Sequence, residues 1–109
     1  MRKMPTPARG EVWLIDFSLA GKTRPALVVS VAFGEHDRSL ITVVPHTTTL
    51  RGSPFEIVIR ASFLKPGAFL VQGVTTFPTV RALHRIGTLQ PEAFEQVFGG
   101  LLRWLGHFS

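Results

Sequence analysis

A chain of 109 residues, 45% of them hydrophobic, is long enough to bury one core and too apolar to be disordered. It has no cysteine, which excludes disulfides and thiolate metal sites, and no apolar run approaches the ~18 residues of a membrane helix. Twelve Lys and Arg against seven Asp and Glu leave a formal charge of +5, which favours an acidic partner, nucleic acid or an acidic protein segment.

Residues 1–9 are rich in Pro and charge and read as a loose arm. No apolar stretch follows the basic start, so it is not a signal peptide, and a cytoplasmic protein is expected. Gly10 opens a strand over 11–17 that is apolar on both faces. A short loop at 18–23 leads to Pro25, whose missing N–H is tolerable at the start of a strand, and residues 26–31 form a continuous apolar, hence central, strand. Gly34 to Arg38 is a charged turn. A third strand spans 40–44 and is expected to stop at Pro45. Residues 47–54 make a polar loop carrying Arg51, and the β-branched stretch 55–60 reads as a fourth strand. After the Lys65-Pro66-Gly67 turn a fifth strand is expected over 68–74, then an irregular segment around Pro78 and one more strand over 83–89.

The end of the chain changes period. Pro91 suits a first helical position, and Glu92 and Glu95 lie near the positive end of the helix dipole. Phe94, Val97, Phe98, Leu101, Leu102 and Leu105 recur at helical spacing, an apolar stripe that reads first as core. Gly99 and Gly100 cost roughly 1 kcal/mol each relative to Ala, so close packing is expected there. Many short strands, Gly/Pro turns and one terminal helix describe a mainly β fold: a small, strongly bent β-barrel with a C-terminal amphipathic helix. It forms a single domain over 10–109.

Two stretches carry the chemistry. Lys22-Thr23-Arg24-Pro25 puts a guanidinium at the entrance of a strand, and Pro45-His46-Thr47-Thr48-Thr49 puts hydroxyls at the exit of another. Arg holds a rigid fork of donors suited to phosphate oxygens, and Thr hydroxyls donate to the same oxygens. Taken singly, each has a plainer reading: an Arg before Pro is commonly a solvated turn residue, and a Thr run commonly bonds its own backbone. If the two strand ends are neighbours, they form an anion pocket fit for phosphodiester chemistry. His36, His46, His84 and His107 show no metal-ligand spacing, so a mechanism without metal or other cofactor is expected.

The ordered set Gly10-Glu11-Val12-Trp13, Asp16-Phe17, Arg24-Pro25-Ala26, Val44-Pro45-His46-Thr47-Thr48, Pro54-Phe55-Glu56, Gln72, Arg81 and Gly87-Thr88 resembles the MazF/PemK (Kid) toxins of type II toxin–antitoxin pairs, from Gly10 to about Leu105. The resemblance implies an SH3-like barrel of the MazF/Kid/CcdB type that acts as a homodimer. It implies a metal-independent endoribonuclease, an mRNA interferase that cuts single-stranded RNA at short motifs and leaves 2′,3′-cyclic phosphate and 5′-hydroxyl ends. Transferred by motif, Arg24 and Thr47 are the catalytic residues, with Thr48 beside them, and an acidic antitoxin is the protein partner.

Lys22, Arg51 and Arg81 are candidate phosphate contacts, and Gln72 and Phe77 candidate base contacts. His46 titrates in the right range for proton transfer, although strand alternation tends to turn it away from Thr47. Asp16 and Glu11 read as structural or interface residues. The loop at 18–23 is shorter than in many relatives, and Val71 stands where some carry an acidic residue. Two other functions stay open: a non-enzymatic toxin like the gyrase inhibitor CcdB, which Trp104-Leu105-Gly106-His107 resembles weakly, and a non-catalytic nucleic-acid-binding barrel.

Overall fold

The computed structural model describes residues 6–17 and 22–107. Among them, seven strands form one antiparallel sheet followed by a helix. They are β1 (Glu11–Asp16), β2 (Thr23–Val28), β3 (Leu40–Thr47), β4 (Glu56–Val58), β5 (Ala68–Leu70), β6 (Thr75–Pro78), β7 (Ala82–Thr88) and α1 (Pro91–Trp104). The sheet runs β4-β5-β3-β2-β1-β7, with β6 pairing β3 off that path. The mainly β architecture with one C-terminal helix is therefore as expected.

The sheet bends at β3. Leu40 to Val43 pair with β6, whereas His46 and Thr47 pair with β5. Pro45 lies between these two pairings, opposite Ala26 of β2. The expectation that Pro45 ends the strand is thus corrected: β3 continues through it, because a missing N–H costs nothing where no neighbour requires it. Other boundaries also move, among them the end of β2 at Val28 and the shortening of the strand expected over 55–60 to Glu56–Val58. β2 begins at Thr23, ahead of Pro25. The segment expected to be irregular holds β6, closed by Pro78. The strand expected over 68–74 ends at Leu70 and tightens into a 3₁₀-helical turn, Val71–Gly73, where a Cβ on Gly73 would lie 2.8 Å from Pro45 Cγ.

Successive side chains of the central strands enter two different cores, as strand alternation requires. Val12, Leu27, Val29, Val44 and Phe69 pack beneath Phe94, Val97 and Leu101 of α1. Trp13, Ile15, Ala26, Val28, Ile41 and Val43 form the second core, against Phe17 and Phe77. Close approach of the helix explains one of its two glycines. A Cβ on Gly100 would lie 2.7 Å from Ile57 Cδ1, but at Gly99 the nearest atom is Arg103 Nη1 at 3.9 Å. Leu105 departs from the expected stripe; it follows the helix and is 62% exposed.

Of the segment read as an arm, residues 1–5 lie outside the described residues. Pro7 is buried, and the Arg9 guanidinium lies 4.5 Å from the ring centroids of both Phe94 and Phe98 and donates to the Val29 carbonyl. Cation–π attraction and one charged hydrogen bond together stabilise this junction by about 1–2 kcal/mol. Arg9→Ala should lower the free energy of urea unfolding by that amount; an unchanged midpoint would show that the contact contributes nothing.

Candidate functional site

The last β2–β3 rung near this end of the sheet pairs Ala26 with Pro45. Two residues further along each strand, past that rung, come Arg24 and Thr47. The entrance of β2 and the exit of β3 therefore share one margin of the sheet, and the two polar stretches of the sequence meet there. They line a cleft of about 500 Å³. Arg24 and Pro25 enter it from β2, His46 to Thr49 from the end of β3, and Phe63, Leu64 and Lys65 from the loop that precedes β5.

Arg24 is exposed, and no hydrogen bond or ion pair engages its guanidinium among the described residues. It also lines a second cleft of about 490 Å³, with Phe17, Lys22, Pro45, Gly73, Thr75 and Phe77. The rings of Phe17 and Phe77 meet edge to face there, 5.1 Å apart at 82°. One cation thus stands between a cleft rich in hydroxyls and a cleft with an aromatic pair.

The Thr47 hydroxyl oxygen accepts the Thr49 N–H at 3.1 Å, and its own proton points to the Thr49 carbonyl at 3.3 Å. The first bond orients the oxygen. The second is long for an O–H···O bond and is readily exchanged for a better acceptor. The local backbone bonding weighed in the sequence is present, and it leaves the donor available.

His46 is buried, only 5% exposed. Its ring meets Phe69 edge to face at 5.1 Å, and its Nε2 is enclosed without a hydrogen-bond partner among the described residues. Burial pushes its pKa below the ordinary histidine value, so the ring is neutral at pH 7. Alternation does turn it inward, yet part of it still lines the first cleft.

The other candidates divide. Thr48 lines the first cleft, and Lys22 and Phe77 the second. Arg51, Gln72 and Arg81 line neither. Arg51 is exposed, with its backbone N–H held by the Glu56 carboxylate. Gln72 projects from an exposed position on the 3₁₀-helical turn. Arg81 donates to the Asp16 carbonyl at 3.2 Å and lies 5.8 Å from the Phe77 ring centroid, so it braces a cleft residue from behind. Of the loop at 18–23, residues 18–21 lie outside the described residues.

Sequence reasoning missed Phe17, Phe63, Leu64, Lys65 and Thr75 as lining residues, whereas Thr49 belonged to the hydroxyl stretch it named. Lys65-Pro66-Gly67 was legible only as a turn. The reason for its glycine is tertiary: a Cβ on Gly67 would lie 2.2 Å from the Thr47 carbonyl oxygen.

Glu11 has a structural environment. Burial alone would raise its pKa, but hydrogen bonds from Trp13, Ala8 and Arg85 outweigh that and hold its carboxyl below the usual range. Among the described residues, no group of three or more His, Asp or Glu side chains converges to hold a metal. No described helix is long and apolar enough to cross a membrane.

Comparison with known proteins gives a consistent result. The family model for the PemK-like, MazF-like toxins of type II toxin–antitoxin systems matches residues 8–105. The fold is similar to that of MazF from Deinococcus radiodurans, 25% identical with a TM-score of 0.81 over 94% of this chain and 99% of that one. It is similar to the MazE–MazF structure from the same organism, also 25% identical, with a TM-score of 0.81 over 96% and 100%. An endoribonuclease from Mycobacterial species, solved in complex with its cognate antitoxin, shares 24% identity and a TM-score of 0.78 over 92% and 95%.

Proposed function

Because the chain belongs to the PemK-like, MazF-like toxins of type II toxin–antitoxin systems, we propose that it is a sequence-specific, metal-independent endoribonuclease acting on single-stranded RNA through Arg24 and Thr47. The observation that carries this reading is the margin where β2 begins and β3 ends. There a guanidinium without a partner among the described residues and the Thr47 to Thr49 hydroxyls line one cleft.

The reaction is a transesterification. The ribose 2′-oxygen bonds to phosphorus while the P–O5′ bond breaks. The 2′-OH proton leaves to a base and O5′ gains a proton, giving a 2′,3′-cyclic phosphate and a 5′-hydroxyl. Negative charge accumulates on the nonbridging oxygens as this proceeds. Arg24, always charged and carried at the entrance of β2, stabilises it bidentately. Thr47, oriented by the Thr49 N–H, donates a hydrogen bond to the same phosphate. The enclosed Nε2 of His46 presents no accessible site to the cleft, so proton transfer falls to groups other than that nitrogen. Use of the 2′-OH as nucleophile restricts the substrate to RNA.

Flanking nucleotides then occupy the two clefts. Lys65 and Thr48 meet phosphate oxygens on one side of Arg24, and Lys22 does so on the other, where Phe17 and Phe77 offer a face for a base. Arg51 and Gln72 serve the periphery of this path, and Arg81 supports Phe77. The protein works as a homodimer in the cytoplasm. An acidic antitoxin segment restrains it by setting carboxylates against the cations that otherwise hold RNA.

The direct test is digestion of a long single-stranded RNA in EDTA by folded, antitoxin-free protein, with end-group analysis. Cuts bearing cyclic phosphates are expected, slowed about 10–100-fold in Thr47→Ala by loss of one hydrogen bond to the charged phosphate and largely restored in Thr47→Ser. Cleavage that needs added divalent metal, or that survives in Thr47→Ala at full rate, would displace this assignment.

A further inference from the structure

His46 is the one buried ionisable side chain among the described residues, and its enclosed Nε2 has no partner. A buried polar atom left unpaired is unfavourable and therefore calls for a reason. The surroundings supply one. The Cα of His46 pairs across to Phe69 on β5, whose ring it meets edge to face. Gly67, which introduces β5, comes so close that a Cβ there would lie 2.8 Å from His46 Cε1 and 2.2 Å from the Thr47 carbonyl oxygen. The loop that brings Phe63, Leu64 and Lys65 to the cleft is thus seated directly on His46 and on the backbone of Thr47.

We propose that His46 is a positioning residue for RNA cleavage: its buried ring is the block on which the 63–67 loop rests, fixing the span between Lys65 and Arg24 and the placement of Thr47. The consequence for cleavage rests on the ribonuclease reading, whereas the clamp is a property of the folded chain alone.

The charged groups that share the cleft are Arg24 from β2 and Lys65 from the loop. Phe69 on β5 and Thr47 on β3 are neutral, and among the described residues no carboxylate lines the cleft. A proton on His46 would add a third positive charge with no counter-ion. Burial already lowers the ring's affinity for that proton, so the neutral form belongs to the folded state. The clamp is then intact above about pH 6.5, the unperturbed histidine value. It is lost as pH falls through the lower folded-state value, because the unfolded chain binds the proton first.

The experiment follows histidine side-chain and backbone amide signals by NMR between pH 8 and 5, alongside single-turnover cleavage of a labelled single-stranded RNA. Wild type, His46→Gln and Gly67→Ala are compared, each checked for folding. The imidazole signal missing from His46→Gln should titrate below the ordinary range. Amides of Thr47 to Thr49 and of Lys65 to Gly67 should shift together at that midpoint, and cleavage should fail there too.

His46→Gln should cleave about 10–100-fold more slowly at pH 7.5, the scale of a small misplacement of reacting groups. Its RNA affinity should stay within about threefold of wild type and its acid limb should disappear. Gly67→Ala, with no titratable group changed, should show the same loss in rate; if it does not fold, His46→Gln decides alone. Amides that respond on one side of the cleft only, full activity in His46→Gln, or an acid limb retained in that variant would overturn the proposal. So would a loss beyond about 10³-fold, which belongs to direct proton transfer. Should wild type cut no RNA, the ribonuclease reading fails, and the amide titration still decides whether the clamp exists.

Discussion

Arg24→Ala is expected to slow cleavage of single-stranded RNA by about 10²–10³-fold, the scale of losing one preorganised donor to a developing oxyanion, with almost no change in melting temperature. The two halves of that expectation share a cause. Arg24 is exposed and its guanidinium makes no hydrogen bond or ion pair among the described residues, so the fold does not depend on that group, and a surface substitution of this kind shifts stability by about 0.5 kcal/mol or less. A group that contributes so little to folding yet borders both clefts is placed for a ligand. Arg24→Lys should recover only part of the rate, because an ammonium restores the charge without the bidentate fork. Single-turnover kinetics and a thermal melt on the same preparation measure both quantities. A folded Arg24→Ala protein that still arrests growth would instead indicate a toxin that acts by binding, in the manner of CcdB.

The elements that sequence reasoning reached are those whose signal is local. The β-branched runs of β1 and β2 and the helical period of α1 need no knowledge of their neighbours. Pro45 and Pro78 were harder because proline is read as a stop, whereas its effect depends on whether an adjacent strand needs the missing N–H. Pro45 falls between the β6 and β5 pairings of β3, a fact of topology that no window of residues contains. The candidate site divides along the same line. Arg24 and Thr47 were legible as two motifs at strand ends, and antiparallel pairing of β2 with β3 brings them to one margin. Phe63, Leu64 and Lys65 reach the cleft only because Gly67 lets the chain pass against Thr47 and His46. That contact joins segments about 20 residues apart and leaves no periodic trace. Arg81 was singled out for its charge, but the carbonyl of Asp16 holds it behind Phe77.

The same contact makes Phe69 the position where stability and the cleft are most strongly linked. Its side chain is fully buried, and it faces His46 on β3 and Ile57 on β4 across the sheet. β5 spans only Ala68–Leu70, too short for its hydrogen bonds to hold it, so the ring anchors the strand in the core beneath α1. Phe69→Ala is expected to lower the unfolding free energy by about 3–5 kcal/mol through lost transfer energy and an unfilled cavity, a large share of the ~5–15 kcal/mol of an ordinary domain. Phe69→Leu, nearer in volume, should lose less than about 1.5 kcal/mol. Urea titrations of the three proteins provide the comparison. β5 follows directly from Gly67, so a loosened anchor also frees the loop bearing Lys65. The cleavage rate per folded molecule should therefore fall in Phe69→Ala even at temperatures where most of the protein remains native. A large loss of stability with that rate unchanged would mean that the loop is held by Gly67 against Thr47 alone, and that the core and the cleft are energetically separate.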